Sequence, residues 1–232
     1  MKMLRKTLSA MTLGVATLAP VLSTTVFAAP VAASEQQATA NLVKQLSDIH
    51  SLSANFEQTT KASSTKKAPQ KKGLAGQHMN QTFKGEMQVA RPGKFYWETT
   101  SPSKQTIVTS GKTVWIYDPD LQQAVRQNLD DQVANTPALL LSGNTNQIMK
   151  SYRVTQPNKA KTYYTLLPKS RDSAFQSLTI SFGVNKAPSL MILEDSLGQT
   201  TYVRFSNVKV NPAISMATFN FTPPKGTDII DQ

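Results

Sequence analysis

Cysteine is absent from the 232 residues, which excludes disulfides, thiolate metal sites, thiol catalysis and a lipidated N-terminal cysteine. Histidine occurs only at positions 50 and 78, too few for a histidine-rich metal centre. Acidic residues are sparse as well: 14 Asp and Glu against 25 Lys and Arg leave a net charge of +11. Such a surplus suits nucleic acid, an anionic membrane surface or an acidic partner. The chain has no G-x-S-x-G elbow, no H-E-x-x-H and no EF-hand loop. Ser110-Gly111-Lys112-Thr113 ends like a P-loop, but Thr106 stands where the first glycine is needed, in a strand-turn-strand context. The acidic pairs Asp118/Asp120, Asp130/Asp131 and Glu194/Asp195 fall at turns or at the start of a helix, the usual places for capping carboxylates. No catalytic constellation emerges, and no metal or cofactor is expected.

What is present begins with a leader. Lys2, Arg5 and Lys6 precede an apolar stretch, Leu8 to Val26, broken by Gly14 and Pro20. Val26-Phe27-Ala28 then supplies a small-residue cleavage site. Residues 1–28 read as a secretory signal peptide; the short, punctuated apolar stretch disfavours a retained anchor. No later stretch approaches 18 apolar residues. Removing the leader takes away three positive charges and leaves +8 on about 204 residues. An exported chain rarely meets nucleic acid, so that partner drops out.

Residues 29–232 read as one domain. Ser34 and Gln37 match a capping box, and Leu42, Leu46 and Ile49 recur at helical spacing, which predicts a helix over 34–50. The period then changes to two at Leu52, Ala54 and Phe56. Turn signals at Arg91-Pro92-Gly93, Ser101-Pro102-Ser103, Ser110-Gly111-Lys112 and Asp118-Pro119-Asp120 divide 83–127 into a meander of short antiparallel strands. The first suits a type II turn. Residues 130–150 predict one or two short helices around Leu139, Leu140, Leu141, Ile148 and Met149. Strand alternation returns at Tyr163-Thr165-Leu167, Leu178-Ile180-Phe182, Leu190–Leu193 and Val203-Phe205. The fold class is mainly β with few helices, about ten or eleven strands curling toward a barrel. A loop at 61–77 carries Lys61, Lys66, Lys67, Lys71 and Lys72. It is either a solvated connection or an electrostatic contact with anionic phospholipid or an acidic partner.

Met87, Val89, Phe95 and Trp97 share parity on consecutive strands; Trp115 and Tyr117, or Val114 and Ile116, supply the next. This apolar face either packs into an ordinary core or lines a cavity for a hydrophobic ligand. Arg91 has the same parity. Its guanidinium either points inward, where it needs hydrogen-bond partners, or reaches water at a turn.

Four elements occur in one order: Arg91-Pro92-x-x-Phe95-x-Trp97; Ser110-Gly111-Lys112-Thr113-Val114-Trp115-Ile116-Tyr117; Asn135-Thr136-Pro137 before an apolar run; and Phe219-x-Phe221-x-Pro223-Pro224-x-Gly226. In this the chain resembles the outer-membrane lipoprotein carrier family, LolA. The resemblance implies an incomplete, half-open barrel of about eleven antiparallel strands with a helical lid over a hydrophobic cavity. It implies a monomeric periplasmic chaperone with triacylated lipoproteins as cargo. Its partners would be an inner-membrane lipoprotein-releasing ABC transporter and an outer-membrane receptor of similar fold. By motif position Arg91 would hold the lid closed, Phe95 would lie near the entrance, and Pro137 to Leu141 would form the lid. A lipid- or lipopeptide-binding sensor of the same fold is the alternative. A lipid hydrolase is disfavoured because no nucleophile–base pair is present.

Overall fold

A computed structural model describes residues 32–62, 81–110, 112–128, 137–171, 173 and 175–232. The leader and Lys66, Lys67, Lys71 and Lys72 of the basic loop lie outside these residues, as do Asp130, Asp131, Asn135 and Thr136.

Helix α1, Glu35–Ser47, starts where the capping box predicts: the Ser34 hydroxyl accepts the Gln37 N–H at 3.3 Å. It ends three residues before the expected His50, and Ala38, Leu42 and Leu46 form its buried stripe. Strand β1, Ser51–Lys61, follows at once. The first meander continues through β2 (Thr82–Ala90), β3 (Lys94–Ser101), β4 (Gln105–Ser110), β5 (Thr113–Asp118) and β6 (Gln123–Asn128). A 3-10 turn at Pro137–Leu141 and helix α2, Thr145–Ser151, realise the two short helices expected in this region. The second meander is β7 (Tyr152–Thr155), β8 (Tyr163–Pro168), β9 (Phe175–Phe182), β10 (Pro188–Asp195) and β11 (Thr200–Val210). A 3-10 turn at Met216–Phe219 and strand β12, Asp228–Asp231, close the chain.

All strands join one open sheet in the order β12-β6-β5-β4-β3-β2-β1-β11-β10-β9-β8-β7. Strand β1 is the hub. It pairs with β2 on one side and β11 on the other, so the two meanders meet along its length. The sheet is therefore an incomplete barrel with twelve strands, one more than the resemblance implied. The extra strand is β12, which runs parallel to β6 and so departs from an all-antiparallel sheet. A bidentate pair from Arg126 to Asp231, at 2.6 and 2.8 Å, fixes its register.

Alternation sends one face of the sheet into a single apolar cluster with α1, the Pro137–Leu141 turn and Ile148 of α2. Val114 is fully buried there and Ile116 packs against it, which settles the parity of β5. Trp115 and Tyr117 face the other way and pack on Phe221, with ring centroids 5.7 and 5.6 Å apart. Beneath that strap Phe219 and Val108 are buried. The closing aromatic-proline motif thus covers the outer side of β3 to β5. On β8 the inward residues are Tyr164 and Leu166, not the expected parity of Tyr163 and Leu167. Both parities of that strand are apolar, and pairing of Leu166 with Leu178 and Tyr164 with Ile180 decides between them. At Arg91-Pro92-Gly93 the glycine has the positive φ of a type II turn, 75°, but the Arg91–Pro92 peptide is cis.

The inner face needs a bare backbone at one point. Gly85 on β2 lies opposite Phe56, whose ring stacks on Trp97 at 3.5 Å between centroids. A Cβ at Gly85 would overlap the Glu98 carbonyl oxygen and come within 2.8 Å of the Phe56 ring. Gly85→Ala is expected to cost about 3 kcal/mol or more in a denaturant titration, because backbone and a packed ring must both yield.

Candidate functional site

The covered inner face is the candidate site. Lateral pairing builds one row across six strands: Leu52, Val89, Phe95, Thr109, Val114 and Gln127. A second row runs Ala54, Met87, Trp97, Ile107 and Ile116. Met87, Val89, Phe95 and Trp97 are each no more than 3% exposed. Leu139, Leu140, Leu141 and Ile148 join the same cluster, and Pro137 is buried beside them. The structure thus brings these sheet and helix residues together on one face. Phe95 has no exposed surface and forms part of the floor, because its parity turns it inward under the cover.

The cover is held to the sheet through the β2–β3 turn. The Arg91 guanidinium points inward and donates from Nη1 to the Leu46 carbonyl of α1, at 2.7 Å, and from Nη2 to the Gly143 carbonyl. One side chain therefore ties together the end of α1 and the segment joining the 3-10 turn to α2. Backbone bonds frame it: Arg91 N–H donates to His50 O and Gly93 N–H to Ser142 O, each at 2.8 Å. Burial pushes the Arg91 pKa below its usual value, yet a guanidinium keeps its charge at neutral pH. At the end of a helix the partial negative charge of free carbonyls also favours a cation.

Other buried polar groups are mostly paired. Thr109 donates to Gly93 O at 3.0 Å and Ser142 to Leu139 O at 2.8 Å. Gln156 accepts from Asn41 and donates to Lys161 O. Gln127 differs: its Nε2 is buried and has no hydrogen-bond partner. An orphaned amide donor costs about 1–3 kcal/mol. Sequence reasoning passed over Gln127, although its parity with Val125 on β6 was a signal. It also passed over Ser142 and Gly143, whose contribution comes from carbonyls that any residue would carry.

Asp118 accepts from two N–H groups of its turn, and Asp195 does likewise through Leu197 and Gln199. Both are turn-formers, as their positions implied. Among the described residues no group of three or more His, Asp or Glu could hold a metal. Lys61 lies over the Tyr202 ring at 5.3 Å.

The profile of the family described as "Outer membrane lipoprotein carrier protein LolA" matches residues 47–222, which takes in β1 to β11 and the whole cover except most of α1. The chain belongs to the LolA family. Among its LolA relatives is an outer-membrane lipoprotein carrier protein of Hahella chejuensis, 43% identical over 188 residues, covering 80% of this chain and 84% of that one. Another, from Pseudomonas fluorescens, is 38% identical over 216 residues, covering 93% and 97%. A solved LolA-superfamily protein from Nitrosomonas europaea, at 16% identity, superposes with a TM-score of 0.48 over 79% of this chain and 98% of its own.

If Arg91 fastens the cover, Arg91→Leu will loosen it. Hydrogen exchange at the Gly93 amide, bonded to Ser142 O, is expected to accelerate about tenfold, while β10 and β11 amides keep their protection.

Proposed function

We propose that this chain is a periplasmic lipoprotein chaperone of the LolA type. Residues 1–28 direct export and are removed, and residues 29–232 act as one carrier domain. The inner face takes up the acyl chains of lipoproteins freed from the inner membrane by an ATP-driven transporter and yields them to an acceptor at the outer membrane. The chaperone performs no covalent chemistry. The observation that carries this reading is the Arg91 fastening over an inner face lined with apolar side chains. The Pro137–Leu141 turn and its link to α2 are tied to the β2–β3 turn through the Arg91 guanidinium and the Gly93 N–H, so that part of the cover can lift when those few bonds break.

Energetics favour such a device. A sixteen-carbon chain gains roughly 11 kcal/mol on leaving water, so unaided escape of acyl chains from a bilayer is negligibly slow. The carrier must offer comparable burial. Uncovering Leu139, Leu140 and Leu141 costs about 5–9 kcal/mol at the usual value per buried leucine. The cover therefore competes with roughly one chain and loses to two or three, so multiply acylated cargo opens it. The polar bonds of Arg91, about 1.5–3 kcal/mol each, add to the pull toward closure.

The direct test is reconstitution. Proteoliposomes containing the lipoprotein-releasing transporter, a triacylated lipoprotein and ATP should load the protein one to one, as read by native mass spectrometry. Failure to load would contradict the chaperone reading. With Arg91→Leu, loading is expected to persist while transfer to outer-membrane vesicles slows and the loaded form accumulates. Normal hand-off by that variant would remove Arg91 from the release step.

A further inference from the structure

We propose that Gln127 is a polar anchor for the cargo, its side-chain amide donating to the carbonyl oxygen of a fatty-acyl ester at the head of a bound chain. The inference rests on the carrier reading and adds to it a residue that chooses acyl esters over plain hydrocarbon.

Three observations meet at this residue. Gln127 is 92% buried, at 8% exposure, and its Nε2 has no partner. Its side chain closes the row that runs from Leu52 through Val89, Phe95, Thr109 and Val114, so it faces the same inner surface. It also stands at a boundary. Strand β12 pairs with β6 only from Gln123 to Arg126, and the last bond of that seam is Gln232 N–H to Arg126 O. Gln127 is the first residue beyond the seam.

An acylated glyceryl head has the same layout. Its hydrocarbon lacks acceptors, and its ester carbonyls lie where chain meets polar group. Chains laid along the apolar row would bring those carbonyls to the donor at its end. Cargo then satisfies a group that the closed molecule leaves unpaired, so the bond forms only when the site is filled. An ether-linked chain of equal length offers the same burial but a poorer acceptor.

The test compares a diacylglyceryl-cysteinyl peptide with its dialkyl ether counterpart, matched in chain length and head group, on protein purified from the periplasm. The wild type should bind the ester about tenfold more tightly, the worth of one net hydrogen bond. Gln127→Met, close in length and without a donor, should bring the two within about twofold by weakening the ester alone. Independently, the Gln127 side-chain amide protons of isotope-labelled wild type should move downfield with the ester and stay with the ether. Equal binding of both probes by the wild type, or an unmoved amide signal, overturns the anchor and leaves the carrier reading intact. Binding of neither probe overturns both.

Discussion

The inner face of the sheet is too apolar to meet water, and every other feature of the molecule answers to that constraint. Two antiparallel meanders joined along β1 turn the same face toward one cluster. With two helices and a 3-10 turn packed against it among the described residues, the sheet must coil round that face. A fully closed barrel would dispose of the problem with strands alone and would leave no way in. Here β7 and β12 are the two ends of the strand order, and the helical elements pack on the inner face between them.

The two faces are covered in different ways, and the difference is functional. On the outer side of β3 to β5, Phe219 and Phe221 pack down as part of a continuous strap that ends by joining the sheet as β12. That cover is built into the strand order. On the inner side the Pro137–Leu141 turn contributes no strand. It is pinned through Gly93, Ser142 and the Arg91 guanidinium, which also reaches the end of α1. The leucines of that turn are buried as well as any core residue, and only their own burial and a handful of polar bonds hold them, with no strand pairing. A chaperone for hydrocarbon needs this asymmetry: a scaffold that holds its shape and a cover that cargo can displace.

Much of this was legible in the residues. Period-two alternation at Leu52, Ala54 and Phe56, and shared parity from Met87 to Trp97, mark the inner face in the sequence alone. It failed where both parities are apolar. Trp115 and Tyr117 could not be told from Val114 and Ile116 until Phe221 was seen to cover them, and β8 was read one residue out of phase. Strand β12 escaped notice because Asp-Ile-Ile-Asp is short and its pairing depends on Arg126, over a hundred residues earlier. The partners of Arg91 were invisible for a different reason: Leu46 and Gly143 accept through backbone carbonyls, which leave no mark on side-chain identity. The parity of Arg91 left inward and outward orientations equally open, and an inward guanidinium does require such partners.

The account stands on movement of the cover as a unit when hydrocarbon enters. A cysteine-free chain accepts one engineered pair of spin labels without background. Exposed Asn146 on α2 and Thr100 at the end of β3 give one site on the cover and one on the scaffold. Pulsed electron resonance on the Asn146→Cys, Thr100→Cys protein, free and loaded with a triacylated lipoprotein, would read the distance between them. A single distribution in the free protein that shifts outward on loading is the expected result. An unchanged distribution in protein shown to carry cargo one to one would contradict it.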